Sequence, residues 1–164
     1  MLSITYSSAA LQPFSQDDLL ALLEQSRSSN EQDGLTGVLV YRDDRFLQLL
    51  EGPDDVVRER MRVIEADDRH GTIRVLLEDE IEERQFPDWT MGFVMIDNGD
   101  VQIPGYRRTF DDIDSNRSTS GSLPALRALI SWFRAYAIAR DSEREEPANE
   151  RIRPRSGSTP VIRW

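Results

Sequence analysis

The sequence predicts an α+β protein: a ferredoxin-like sheet of about five strands with two helices on one face, plus a C-terminal helical extension. Three observations carry that prediction. Short segments alternate apolar and polar residues, as where Leu2, Ile4 and Tyr6 alternate with Ser3, Thr5 and Ser7. Two segments between the strands show helical apolar spacing and helix-start chemistry. Their order, strand–helix–strand–strand–helix–strand, is that of the ferredoxin-like unit.

The elements follow in turn. Leu2 to Ser7 is a short first strand. Ser15 with Asp18 three positions on makes a capping box, and the Leu19, Leu20, Leu22 and Leu23 stripe carries a first helix to about Arg27. The polar run Ser28 to Gly34 is expected to end it. Leu35 to Tyr41 reads as the second strand, and the tight polar Arg42–Arg45 link makes Phe46 to Gly52 the return strand of a hairpin. Gly52–Pro53 breaks the sheet, and Asp54 and Asp55 suit the positive end of a second helix. Val57, Met61 and Ile64 carry that helix to about Asp67. Ile73, Val75 and Leu77 mark a fourth strand. Trp89, Met91, Phe93 and Met95 alternate on a fifth.

Three regions result: a domain over 1–96, a helical extension over 97–140 and a flexible tail over 141–164. In the extension, Tyr106, Phe110 and Ile113 share the face of a short helix. Leu123 to about Ala139 is a longer one, with Leu126, Leu129, Ile130, Phe133 and Ala137 in one stripe and Trp132, Ala135 and Tyr136 widening it. An apolar surface this wide packs on two sides, so the expectation is a homo-oligomer through this helix.

Composition narrows the functions. The 164 residues are 38% hydrophobic and carry a formal net charge of −10, a surface that repels phosphate backbones and anionic lipid. Neither direct nucleic-acid binding nor membrane association is expected. All 20 cationic side chains are Arg, which excludes a lysine Schiff base. The absence of Cys removes disulfides, thiolate nucleophiles, Cys-ligated metals and flavin–thiol adducts. One His is too few for a His-rich metal site. No apolar run reaches membrane length and no basic, apolar leader opens the chain, so the expected compartment is the cytoplasm.

Gln48 is the most informative residue. On its strand it shares a face with Phe46 and Leu50, and an amide among large apolar neighbours demands hydrogen-bonding partners. It is either a structural tie or a switch, because an amide has a donor end and an acceptor end and its orientation reverses. In a ferredoxin-like sheet the first and third strands are adjacent, which makes Tyr6 and Gln48 neighbours. If that face carries the helices, Asn30 lies close by. With Leu22 and Ile64 as an apolar wall, a planar heteroaromatic ring would fit between the helices with its polar edge on the amides. Taken singly, each residue has a plainer reading: a satisfied amide, a core aromatic, a helix-end polar group, core packing.

The joint pattern resembles the BLUF domains, blue-light sensors that use FAD. The resemblance rests on Ile4-Thr5-Tyr6-Ser7-Ser8, Asn30, Gly34-Leu35-Thr36-Gly37-Val38-Leu39-Val40-Tyr41, Phe46-Leu47-Gln48-Leu49-Leu50-Glu51-Gly52, Asp67-Asp68-Arg69-His70 and Phe86-Pro87-Asp88-Trp89-Thr90-Met91, across residues 1–96. It implies that Tyr6 gives an electron and proton to excited flavin and that Gln48 stands between Tyr6 and the ring, recording the photon by rotation or tautomerisation. It implies that Asn30 bonds the ring's carbonyl edge, that Leu22 and Ile64 sandwich the ring, and that Asp67 and His70 lie near the flavin or its ribityl chain. Trp89 and Met91 match fifth-strand signalling residues, and Ser8 matches a small polar position near that strand. Ser29 departs from the family's usual His or Asn, and its shorter side chain is expected to hold the ring or ribityl region less tightly.

The expected function is therefore non-covalent FAD binding and blue-light sensing without turnover, with output through a downstream protein or a homo-oligomer. The competing reading is a flavin-free ferredoxin-like regulatory or oligomerisation module. An enzyme ranks last, since no nucleophile–base pair, phosphate-cradling Gly loop or metal set is present in the sequence.

Overall fold

A computed structural model of the chain describes residues 1–95, 103–114 and 123–145. The chain falls into two compact units, Met1–Asp97 and Asn98–Arg163. The first contains β1 (Leu2–Ala10), α1 (Gln16–Asp33), β2 (Thr36–Arg42), β3 (Arg45–Gly52), α2 (Asp54–Glu65), β4 (His70–Glu80) and β5 (Gly92–Met95). The sheet order is β4-β1-β3-β2-β5, so the ferredoxin-like core is present with β5 added beside β2. β1 runs antiparallel to β3 and β4, β2 antiparallel to β3, and β5 parallel to β2.

One face of the sheet forms the core with the two helices. Leu2, Ile4 and Tyr6 of β1, Leu39 and Tyr41 of β2, and Phe46 and Leu50 of β3 pack with Leu19, Leu22 and Leu23 of α1 and Val57 and Met61 of α2. The β2–β3 hairpin turns through Asp43 and Asp44 at φ 45° and 59°, the left-handed pair that matches strand twist in a two-residue turn. The Tyr41 hydroxyl donates to Asp44 Oδ1 at 2.7 Å and holds that turn.

The structure corrects the sequence reading in four places. α1 continues past Arg27 to Asp33. The polar residues Ser28 to Glu31 do not stop it. Gly34 does, at φ 65°, donating its N–H to the carbonyls of the last turn in a left-handed cap. β4 does not keep the Ile73, Val75, Leu77 alternation. Its register against β1 shifts between Thr5 and Tyr6 and again between Ser7 and Ala9, and the result buries Leu76 while Val75 is 44% exposed. Trp89 and Met91 precede β5 instead of lying on it. The Trp89 carbonyl accepts from Gly37 N at 2.9 Å, but the ladder begins only at Gly92. In the second unit, α3 (Tyr106–Asp114) and α4 (Leu123–Glu145) form, and α4 runs on past Ala139 into the expected tail. The remainder of that tail lies outside the described residues, as does the side chain of Ala137. Leu126, Leu129, Ile130 and Phe133 are buried, and Trp132 stacks on Tyr136 with centroids 5.3 Å apart.

Glu51 ties the Ile81–Met91 connection to the sheet. It is fully buried, and its carboxyl oxygens accept from Thr36 Oγ1 at 3.1 Å, Gln85 N at 2.9 Å and Phe86 N at 2.6 Å. Glu51→Ala strands these donors away from water. We expect a loss of roughly 3 kcal/mol in a urea titration at neutral pH, with a smaller loss for Glu51→Gln, which keeps an acceptor.

Candidate functional site

Tyr6 and Gln48 are direct cross-strand neighbours in the central β1–β3 pair. Both are buried on the helix-bearing face. The Tyr6 hydroxyl donates a hydrogen bond to Gln48 Oε1. The other end of the amide, Nε2, donates to Met91 Sδ at 3.5 Å, and a thioether is a weak acceptor. Gln48 thus has one strong and one weak attachment. Burial, reinforced by the nearby Asp67 carboxylate, pushes the Tyr6 phenol far above its ordinary range, so it remains a neutral donor.

Around this pair α1, α2 and the sheet form a cleft. Tyr6, Leu22, Asn30, Gln48, Ile64, Asp67 and His70 all line it, with Leu39 and Leu50 as apolar sheet residues. Leu22 belongs to the α1 wall and Ile64 to the α2 wall. Asn30 is 2% exposed in the last turn of α1, and its Nδ2 donates to the Thr90 carbonyl at 2.7 Å. Arg27 Nε donates to the next carbonyl, that of Met91, at 3.0 Å. The stretch carrying Trp89 and Met91 is therefore fastened to α1 by two side chains, to β2 through Gly37 and to Gln48 through Met91. Trp89 stacks on Phe86 with centroids 5.9 Å apart, and a Cβ on Gly92 would lie 1.9 Å from its ring, so the missing side chain at Gly92 makes room for it. Trp89 is not among the residues lining the cleft.

Ser8 is not placed as expected. It lies on β1, separated from β5 by β3 and β2, and its hydroxyl is 3.0 Å from His70 Nδ1. It serves the α2–β4 end of the cleft. Burial lowers the pKa of His70. Asp67 is held at about 2, below its reference value of 3.8, chiefly by the hydrogen bonds of Arg69. A lowered carboxyl pKa stabilises the fold above the unfolded value and loses that contribution as pH falls through the folded one. Acid titration of the unfolding midpoint should therefore show a component between pH 3.8 and about 2 that Asp67→Asn removes.

Several cleft residues were not singled out in the sequence. Gln25 and Ser26 follow Leu22 on one face of α1, ahead of Ser29, which also lines the cleft, and Arg60 precedes Ile64 on one face of α2. Their helical spacing is legible, but polar side chains on a helix read equally well as a solvated face. Two arginines bind across the helices. Arg60 pairs with Asp33, and Arg69 reaches Gln25 Oε1 at 3.3 Å.

The donor set suits a planar heteroaromatic group: apolar walls for its faces, and two amides for a polar edge. The cleft has a volume of about 70 Å³.

Residues 1–92 match the family model described as BLUF, sensors of blue-light using FAD. The chain belongs to the BLUF family. Its BLUF domain is 34% identical over 90 residues to the photoactivated adenylate cyclase subunit beta of Euglena gracilis, covering 54% of this chain and 10% of that protein. The chain thus spans about a tenth of that curated relative's length. A dark-state structure of BlrB, a BLUF protein, superposes with a TM-score of 0.68 at 27% identity, covering 82% of this chain and 96% of that one. Klebsiella pneumoniae BlrP1, solved with FMN and cyclic diGMP, gives a TM-score of 0.54 at 29% identity over 58% of this chain and 26% of that one. Among the described residues, no helix is long and apolar enough to cross a membrane.

Proposed function

We propose that this chain is a cytoplasmic blue-light photoreceptor that binds FAD non-covalently between α1 and α2 and signals by rearranging the hydrogen bonds of Gln48. The observation that carries the reading is the unequal attachment of that amide, strong to Tyr6 and weak to Met91. Leu22 and Ile64 hold the ring faces, Asn30 and Gln48 its polar edge, and Asp67 and His70 the side toward the ribityl chain. The bound flavin supplies the absorber and, once excited, an electron acceptor. Tyr6 would be the residue that lends an electron and its hydroxyl proton and takes both back, and Gln48 would turn or tautomerise while its hold on the tyrosine is loosened. The net change is a new hydrogen-bond pattern. Without Cys there is no thiol to store the signal covalently, so the amide network must store it and relax thermally.

Output leaves through Met91. A turned amide changes what faces Met91 Sδ, and the Trp89–Met91 stretch passes the change toward the C-terminal helices. Those helices act on a downstream protein or a second copy of the chain, and no turnover is required of this chain itself.

The test is an absorption spectrum of FAD-loaded protein before and after blue light, with sedimentation in both states. The reading predicts a yellow protein, a reversible red shift and a light-dependent assembly. A protein that stays colourless after FAD is added is a flavin-free regulatory module. A red shift with unchanged assembly removes the oligomer from the output and leaves the downstream protein.

A further inference from the structure

Met91 is held in two ways. Its Sδ accepts from Gln48 Nε2 at 3.5 Å, and its backbone carbonyl accepts from Arg27 Nε at 3.0 Å. The first contact is weak, because a thioether is a poor acceptor. The second is firmer, because its donor carries a charge. Met91 is 2% exposed, so its carbonyl has to find a partner inside the protein. Arg27 supplies one from α1, a turn ahead of Asn30, which holds the preceding carbonyl of Thr90. The two helix residues differ in their surroundings. Asn30 lines the cleft and Arg27 does not. Arg27 is half-buried, and burial lowers its pKa against the opposing pull of the Glu24 carboxylate.

We propose that Arg27 is a positioning residue for the amide switch: by fixing the Met91 backbone it keeps Sδ in front of Gln48 and sets how fast the switched amide returns. The inference rests on the Gln48 reading above. In the starting arrangement a donor, Nε2, faces the sulfur. An amide that turns presents Oε1 there instead, so two acceptors meet with no proton between them. That contact is unfavourable, and more so away from water. Met91 would escape it by retreating. Its side chain is packed in the main core, which leaves little room for rotation alone. Retreat therefore needs the backbone to move, and Arg27 holds the backbone. The strain of the turned amide is then kept in the switch and drives its return.

Two replacements separate the hydrogen bond from the charge. Glutamine carries its Nε2 as many bonds from Cα as arginine carries Nε, so Arg27→Gln keeps a donor to the Met91 carbonyl and loses only the charge. Arg27→Met keeps an apolar stem of similar length and has no donor. Both are good helix formers, and neither touches the cleft lining.

The test is the rate of dark recovery of FAD-loaded protein after a blue flash, followed by absorption. Arg27→Met should lengthen the recovery about fivefold, the factor for a contact of about 1 kcal/mol, with the initial spectrum unchanged. Arg27→Gln should recover near the wild-type rate. Met91→Leu removes the sulfur and leaves the carbonyl, so it should itself recover slowly, and adding Arg27→Met to it should slow it no further. Wild-type recovery in Arg27→Met, equal slowing in both Arg27 variants, or full slowing by Arg27→Met in the Met91→Leu background would overturn the positioning role and leave the amide switch standing. A wild type that gives no red shift removes the switch and the positioning role with it.

Discussion

Gln48→Leu is expected to yield a protein that still binds flavin and shows no light-induced red shift. Leucine has nearly the shape of the amide but neither a donor nor an acceptor. Asn30, Leu22 and Ile64 are untouched, so the ring keeps its walls and one of its two amides. What disappears is the group that can reverse. The substitution also leaves the Tyr6 hydroxyl buried without its acceptor, at a cost of about 1–3 kcal/mol, partly offset by apolar burial. A lower unfolding midpoint with intact yellow colour and a flat light-minus-dark spectrum is the expected combination. A normal red shift in this variant would remove Gln48 from the mechanism.

Tyr6→Phe is expected to retain fold and flavin and to lose the productive photocycle. Phenylalanine keeps the ring that packs in the core but has no hydroxyl proton to give and takes away the bond to Gln48 Oε1. The cost to stability is about 1 kcal/mol. The wild-type response should also persist at pH 10, where an ordinary tyrosine is half ionised, because burial keeps this phenol protonated. Transient absorption separates the two variants. Gln48→Leu retains the proposed electron donor but has no amide to reorient, whereas Tyr6→Phe lacks the proposed donor itself.

Much of this site was legible because a strand alternates with period two. Placing Tyr6 and Gln48 side by side on adjacent central strands requires only that periodicity and the ferredoxin-like order, while which face carries the helices stays open in the sequence. Leu22 and Ile64 followed from helical spacing. Other features depend on properties that the pattern of apolar residues does not carry. The last turns of α1 expose polar side chains, so their helicity left no apolar stripe, and only the left-handed Gly34 marks the end. The β4 register shifts depend on backbone conformations such as Thr72 at φ 44°, which no composition signals. Trp89 and Met91 keep strand-like alternation but lie ahead of the ladder, where Gly37 and Glu51 hold the incoming segment. The resemblance sets Ser8 near the fifth strand, whereas its partner His70 lies on β4, the opposite edge of the sheet from β5. Arg60 and Arg69 act by reaching between helices, and such reach depends on how closely α1 and α2 pack.

The most direct test of the amide switch is a light-minus-dark infrared difference spectrum of the flavin-loaded protein, recorded for the wild type and Gln48→Leu. A turned amide strengthens a hydrogen bond to the ring carbonyl, so the wild type should show that carbonyl band moving to lower frequency and returning in the dark, and the variant should not. Carbonyl bands that stay fixed in the wild type while its visible spectrum shifts would contradict the account.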